Sequence, residues 1–363
     1  MENQRLLSLD AFRGFTIAAM ILVNNPGSWE YVYPPLLHAE WNGLTPTDLI
    51  FPFFLFIVGV SIVLVYTKRL QQGFSKKKLI QKIIFRSFKI FAVGVLLSII
   101  MNLNITEIRY AGVLQRIAIV FLVCSIFYLY SGWKTQAFVA AGLLLFYWLS
   151  MALIPTPGYE TAMLEPGINL AAWIDNILLP GQMWQGTWDP EGIFSTLPAI
   201  ATGITGMLVG RLLLIEIPRD RKVIWLFTLG FAAAVLGFMW GWIFPLNKNL
   251  WTSSYVVLTS GLAALTFAAL FFMVDILGYK KSVWVGIVFG ANAIAIYVLA
   301  DLLTFVFYST DIGGASLNQY FLNFFASIGF SLQFASFVYA LFYIGINFIP
   351  AYFLYKKKIF IKL

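Results

Sequence analysis

The amino-acid sequence predicts an all-α, polytopic membrane protein with about ten spanning helices and both termini cytoplasmic. Three observations lead there. Apolar residues make up 60% of the 363 positions and charged residues 11%, with a mean hydropathy of +0.84. A soluble domain is roughly a quarter charged and about half apolar, so no water-soluble core absorbs this excess. The apolar residues fall into runs of about 20, the length a helix needs to cross the hydrocarbon layer. Lysine and arginine gather in every second gap between the runs, as they do in cytoplasmic loops.

The runs begin near Leu7, Pro46, Leu79, Val113, Thr135, Ile193, Val223, Thr252, Ser282 and Gln333. The first, "SLDAFRGFTIAAMILVNN", opens on Ser8 as a potential cap and has no small-residue cleavage site, so it reads as a span rather than a removable signal. Thr45, Pro46 and Asp48 suit the cap, first and third positions of the second span. Lys68, Arg69, Lys76, Lys77, Lys78 and Lys82 follow that span, and Lys134 follows the fourth. The glycines Gly203, Gly206 and Gly210 of the sixth read as helix-packing positions. Arg219, Arg221 and Lys222 follow it; Lys280 and Lys281 follow the eighth. Leu317–Phe330 is aromatic and broken by Gly329, which predicts an interfacial or re-entrant helix. Lys356, Lys357, Lys358 and Lys362 follow the last span. The alternate gaps hold little positive charge beyond Arg109 and Lys248, a parity that agrees with an even number of spans. Residues 1–363 form one membrane domain on this reading, with 154–192 as an external loop.

Several function classes drop out. Cys124 is the only cysteine, so disulfides and thiolate metal sites are excluded, and with a single histidine no metal is expected. The net charge of +8 is spread among the loops, which fits membrane orientation and not nucleic-acid binding. No dinucleotide fingerprint, P-loop or nucleophile elbow is present.

The chemistry-bearing residues cluster near the outer side. His38, the only imidazole, stands in "LLHAEWNGLTPTDLIFPFFLFIVG" between the first two spans, with Glu40 and Asn42 beside it and Asn24 at the end of the first span. An imidazole titrates near pH 6.5 and can take a proton from an attacking group; the bland alternative is a solvated loop histidine. Asp48 is either a helix cap or part of the site. Arg13 sits at membrane depth, where a charge is a functional candidate; the alternative is an ion pair with Asp10, three residues back. Arg116 and Asp301 are further intramembrane charges. The external loop carries Glu160, Glu165, Asp175, Asp189 and Glu191 without lysine or arginine, together with Trp173, Trp184 and Trp188. Carboxylates attract a cationic amine and tryptophan faces stack on sugar rings; equally, such tryptophans settle at headgroup depth.

The motifs "LDAFRGFTIAAMILVNN", "HAEWNGLTPTDLIFPFFLFIVG", "GVLQRIA", "DPEGIFSTLPAIATGITGMLVGR", "LWTSSYVVLTSGLAAL", "FGANAIAIYVLAD" and "KKKIFIKL" resemble one family in order along essentially the whole chain. It is the transmembrane acyltransferase family of heparan-α-glucosaminide N-acetyltransferase, and the chain resembles its bacterial NagX-type amino-sugar acetyltransferases. The resemblance implies transfer of acetyl from cytosolic acetyl-CoA to a glucosamine-type amine across a bacterial inner membrane, by a possible homodimer. It implies His38 as general base or transient acetyl carrier and Asn24 as its catalytic partner. On this scheme Arg13, and then Arg86 and Lys89, are the candidates for the CoA phosphates. Asp189, Glu191, Trp188 and Asp48 are the candidates for the acceptor. Intramembrane Arg13, Arg116 and Asp301 equally suit a transporter or flippase of a sugar or lipid-linked sugar. A structural membrane subunit would leave the His38 cluster unexplained.

Overall fold

The computed structural model describes residues 6–102, 108–310 and 313–361; Lys362 lies outside them. Among the described residues thirteen α-helices follow one another: α1 (Leu7–Asn24), α2 (Ile50–Gln71), α3 (Lys76–Asn102), α4 (Val113–Tyr130), α5 (Trp133–Leu153), α6 (Leu170–Leu178), α7 (Thr196–Leu214), α8 (Arg219–Trp240), α9 (Ser253–Leu270), α10 (Trp284–Ala291), α11 (Ala293–Thr304), α12 (Leu317–Ser327) and α13 (Leu332–Lys356). Among the described residues nine helical segments are long and apolar enough to cross a membrane, and α10 with α11 makes a tenth if that bent pair is one span.

The predicted spans match these segments, with one correction. The ninth is not continuous: α10 and the α11 segment meet at 84° across Asn292. The Asn292 backbone leaves helical geometry (φ −133°, ψ 40°). Its carboxamide donates to Ile359 O (2.9 Å) and accepts from Ile361 N (2.8 Å). An asparagine that bonds backbone groups in this way offers the chain an alternative to helix continuation. The predicted interfacial segment is α12, at about 16 Å too short to cross. The loop at 154–192 contains α6, whose N-cap Asn169 accepts from Ala172 N at 2.9 Å.

The described residues gather into two compact units. The first holds α1, the 3-10 turns Pro34–Leu36 and Pro46–Leu49, and α10 to α13. Here α1 lies against α10 through small residues: a Cβ on Gly14 would stand 1.7 Å from Gly286 O. The second unit holds 40–43 and the chain from Pro52 to Ala269. Its packing rests on the glycines read from the sequence. A Cβ on Gly206 would stand 2.0 Å from Phe56 O, one on Gly210 2.8 Å from Val63 Cβ, and one on Gly203 2.7 Å from Cys124 Sγ. Close backbone approach of this kind is how membrane helices gain van der Waals contact where lipid supplies no hydrophobic drive.

Candidate functional site

His38 stands on the connection between α1 and α2, in the first unit. Pro34 and Pro35 set the 3-10 turn that leads to it, and Leu37 N closes that turn on Pro34 O at 3.1 Å. Ten residues on, Asp48 is buried, with its side chain 1% exposed against 45% for His38. Its Oδ1 lies 2.6 Å from His38 Nδ1. The other oxygen accepts from Ala39 N at 3.1 Å and Thr45 N at 3.0 Å. Asp48 is thus a cap and a histidine partner at once. Both of its carboxylate oxygens are engaged by the loop.

The chemical consequence concerns the tautomer. With the Nδ1 proton donated to a carboxylate, the neutral ring carries its basic lone pair on Nε2. A carboxylate behind an imidazole also stabilises the imidazolium that forms when Nε2 accepts a proton. Asn24 is exposed at the last position of α1, while its neighbour Asn25 is buried and donates to Ile21 O at 3.0 Å. The exposed carboxamide is the one suited to meet a ligand.

The remaining candidates separate. Arg13 donates to Asp10 (2.5 Å) and to the α10 carbonyl of Gly290 (3.0 Å). It therefore closes the α1–α10 contact, and the ion pair weighed from sequence exists. Arg86 lies 4.9 Å from the centroid of Phe121 and Lys89 5.3 Å from that of Phe85, both on the second unit.

Asp189 and Glu191 correct the picture of an acidic loop with no balancing cation. Arg109 supplies it, through Nε to Asp189 Oδ2 (2.7 Å) and Nη2 to Asp189 Oδ1 (2.7 Å) and Glu191 Oε2 (2.6 Å). Burial would raise the Asp189 carboxyl, but the bond and charge of Arg109 outweigh it and hold the group below its ordinary value. Among the described residues Asp175 has no ion-pair partner of this kind. Burial pushes it up to about 6, against bonds from the Ile193 and Phe194 amides. Trp188 packs edge-to-face on Trp41 at 5.0 Å. Arg116, fully buried, donates to Gly192 O and Ser195 Oγ and lies over Trp251 at 5.1 Å. Sequence reasoning had no role for Arg109; its standing as the lone basic residue of that gap was the available sign. Among the described residues no group of three His, Cys, Asp or Glu side chains is placed to hold a metal.

Residues 5–238 match the family model for the catalytic part of heparan-alpha-glucosaminide N-acetyltransferase, a stretch that includes Asn24, His38, Asp48 and the Arg109 cluster. The chain belongs to this family. It is 32% identical to the human (Homo sapiens) heparan-alpha-glucosaminide N-acetyltransferase over 81% of its own length and 52% of the relative's. To the mouse (Mus musculus) protein of the same name it is 31% identical, over 82% and 54%. The chain thus spans about half the length of the curated relatives it matches. Membership in this family, with spanning helices among the described residues, makes it an integral membrane protein.

Proposed function

We propose that the protein is a transmembrane N-acetyltransferase that moves acetyl from cytosolic acetyl-CoA to the amine of a glucosamine-type sugar on the external side of a bacterial inner membrane. The observation that carries this reading is the half-exposed His38 ring backed by buried Asp48. Acetylation of an ammonium releases a proton, because only the neutral amine has a lone pair. That proton passes to solvent; as the C–N bond forms, His38 Nε2 takes the second proton from the nitrogen, and Asp48 steadies the charge. As the amine adds to the thioester carbonyl, the exposed Asn24 carboxamide donates to the developing oxyanion. The proton returns to the departing thiolate, giving free CoA. A donor to the oxyanion contributes on the order of 10²–10³ in turnover. Trp188, beside Asp189 and Glu191, remains the candidate wall for a sugar ring. The two acids act by fixing that loop on Arg109.

The 84° break between α10 and α11 favours a second reading, a sugar transporter or flippase, because discontinuous helices line many transport sites. Purified protein supplied with labelled acetyl-CoA and a panel of amino sugars separates the two. Labelled N-acetyl sugar with stoichiometric free thiol supports the enzyme. Unmodified sugar moved across a vesicle membrane, with acetyl-CoA intact, supports the transporter.

A further inference from the structure

Arg69 and Arg211 stand in the second unit, at the ends of α2 and α7. Arg69 lies 5.7 Å from the ring centroid of Tyr66, and Arg211 4.7 Å from that of Tyr128. The tyrosines are buried, 3% and 8% exposed. They are joined through α2: Tyr128 OH meets Thr67 Oγ1 at 2.5 Å, one residue from Tyr66. Arg86 of α3 lies 4.9 Å from the ring centroid of Phe121, on α4, the helix that carries Tyr128. Arg211 is held by neutral groups, donating to Gln136 Oε1 and Ser131 O, each at 2.8 Å. Among the described residues no carboxylate pairs with Arg69 or Arg211. Two guanidiniums therefore stand over two phenols with no structural anion assigned to either, and a third stands over Phe121 on the same helix as Tyr128.

Membrane orientation requires only a surplus of positive charge in a loop. It does not require guanidiniums fixed on aromatic faces, with one anchored to a fully buried glutamine. Preorganised guanidiniums beside hydroxyl donors recognise phosphate through paired, charge-assisted hydrogen bonds. We propose that Arg69, Arg86 and Arg211, with Tyr66 and Tyr128, form a phosphate-recognition site at this end of the second unit. On the acetyltransferase reading, on which this rests, the phosphates are those of the CoA donor. The site takes over the part expected of Arg13, whose guanidinium is committed to Asp10 and Gly290.

The test is binding of CoA and of pantetheine, which lacks the phosphates, to purified wild type, Arg69→Gln, Arg211→Gln, the double variant and Arg13→Gln. Wild type should prefer CoA. Each single variant should lose CoA affinity by about ten- to a hundredfold, as for loss of a charge-assisted bond, while pantetheine affinity holds. Unchanged CoA affinity in the double variant, or a parallel loss for pantetheine, would overturn the site. So would a CoA loss confined to Arg13→Gln. Nanodiscs of phosphatidylglycerol form the second arm: if the variants lose anionic-lipid retention and keep CoA, the cluster is a headgroup surface and the proposal falls. Phosphate-dependent CoA binding through Arg69 and Arg211 without acetyl transfer would sustain the site and remove the enzymatic reading. Turnover with CoA affinity indifferent to both arginines would do the reverse.

Discussion

At the scale of single residues, Asp48 decides what His38 can do. His38→Ala should abolish acetyl transfer while the protein still binds CoA, which activity and binding assays on one preparation check. Asp48→Asn preserves the turn geometry but no longer stabilises an imidazolium, so turnover should fall at least a hundredfold, with little change in the donor's KM. Retained turnover would reduce Asp48 to a cap. Asp175 offers a test of opposite character. Its folded pKa is raised to about 6 from 3.8, so the fold binds a proton more tightly than the unfolded chain does. Its ionised form therefore weakens the fold above pH 6, and stability returns as pH falls through about 6 toward 4. Melting temperature should be higher at pH 5 than at pH 7.5, by the equivalent of about 1.4 kcal/mol, and Asp175→Asn should remove the difference. His38 was legible in the sequence because a lone imidazole stands out. Its bond to Asp48 was not, because the cap explained Asp48 completely. Arg109 escaped because its carboxylates lie 80 and 82 positions away.

At the scale of elements, helix contacts depend on glycine only where another backbone comes close. Gly206→Ala places a methyl group 2.0 Å from Phe56 O, whereas Gly142 on α5 has no neighbour within 4 Å of its would-be Cβ. Gly206→Ala should lower the melting temperature in detergent clearly. Gly142→Ala should leave it unchanged or raise it slightly, since alanine favours a helix over glycine by up to about 1 kcal/mol. Equal behaviour of the two would mean that α2 and α7 do not touch through these residues. The spans were legible because hydropathy alone sets where a helix crosses. The break at Asn292 was not, since both halves are apolar and the groups that hold its carboxamide lie 67 and 69 positions later. Helix α6 escaped for a different reason: nine residues inside a polar loop give too short a pattern to see.

At the scale of the whole molecule, the alternation of basic loops makes a prediction about sidedness. A cysteine at Glu40 should react with a membrane-impermeant thiol reagent outside intact cells, and one at Ser75 should not. Both positions are exposed, and the native Cys124 is buried, so background labelling is low. Reversed labelling would put His38 on the donor's side and remove the need for transfer across the bilayer. The order of synthesis adds a constraint that a finished structure hides. Arg13 is made long before the Gly290 carbonyl that holds it, 277 positions further along. At about 5–20 residues per second, ribosomes reach that partner roughly 15–55 s later. Throughout that wait the guanidinium must enter the bilayer with Asp10 as its counter-ion, three positions back. An arginine at the centre of an inserting helix costs about 2.5–3.5 kcal/mol. Asp10 thus serves biogenesis as an escort for the first span, and Asp10→Asn should reduce the amount of inserted protein more than the melting temperature of the molecules that do insert.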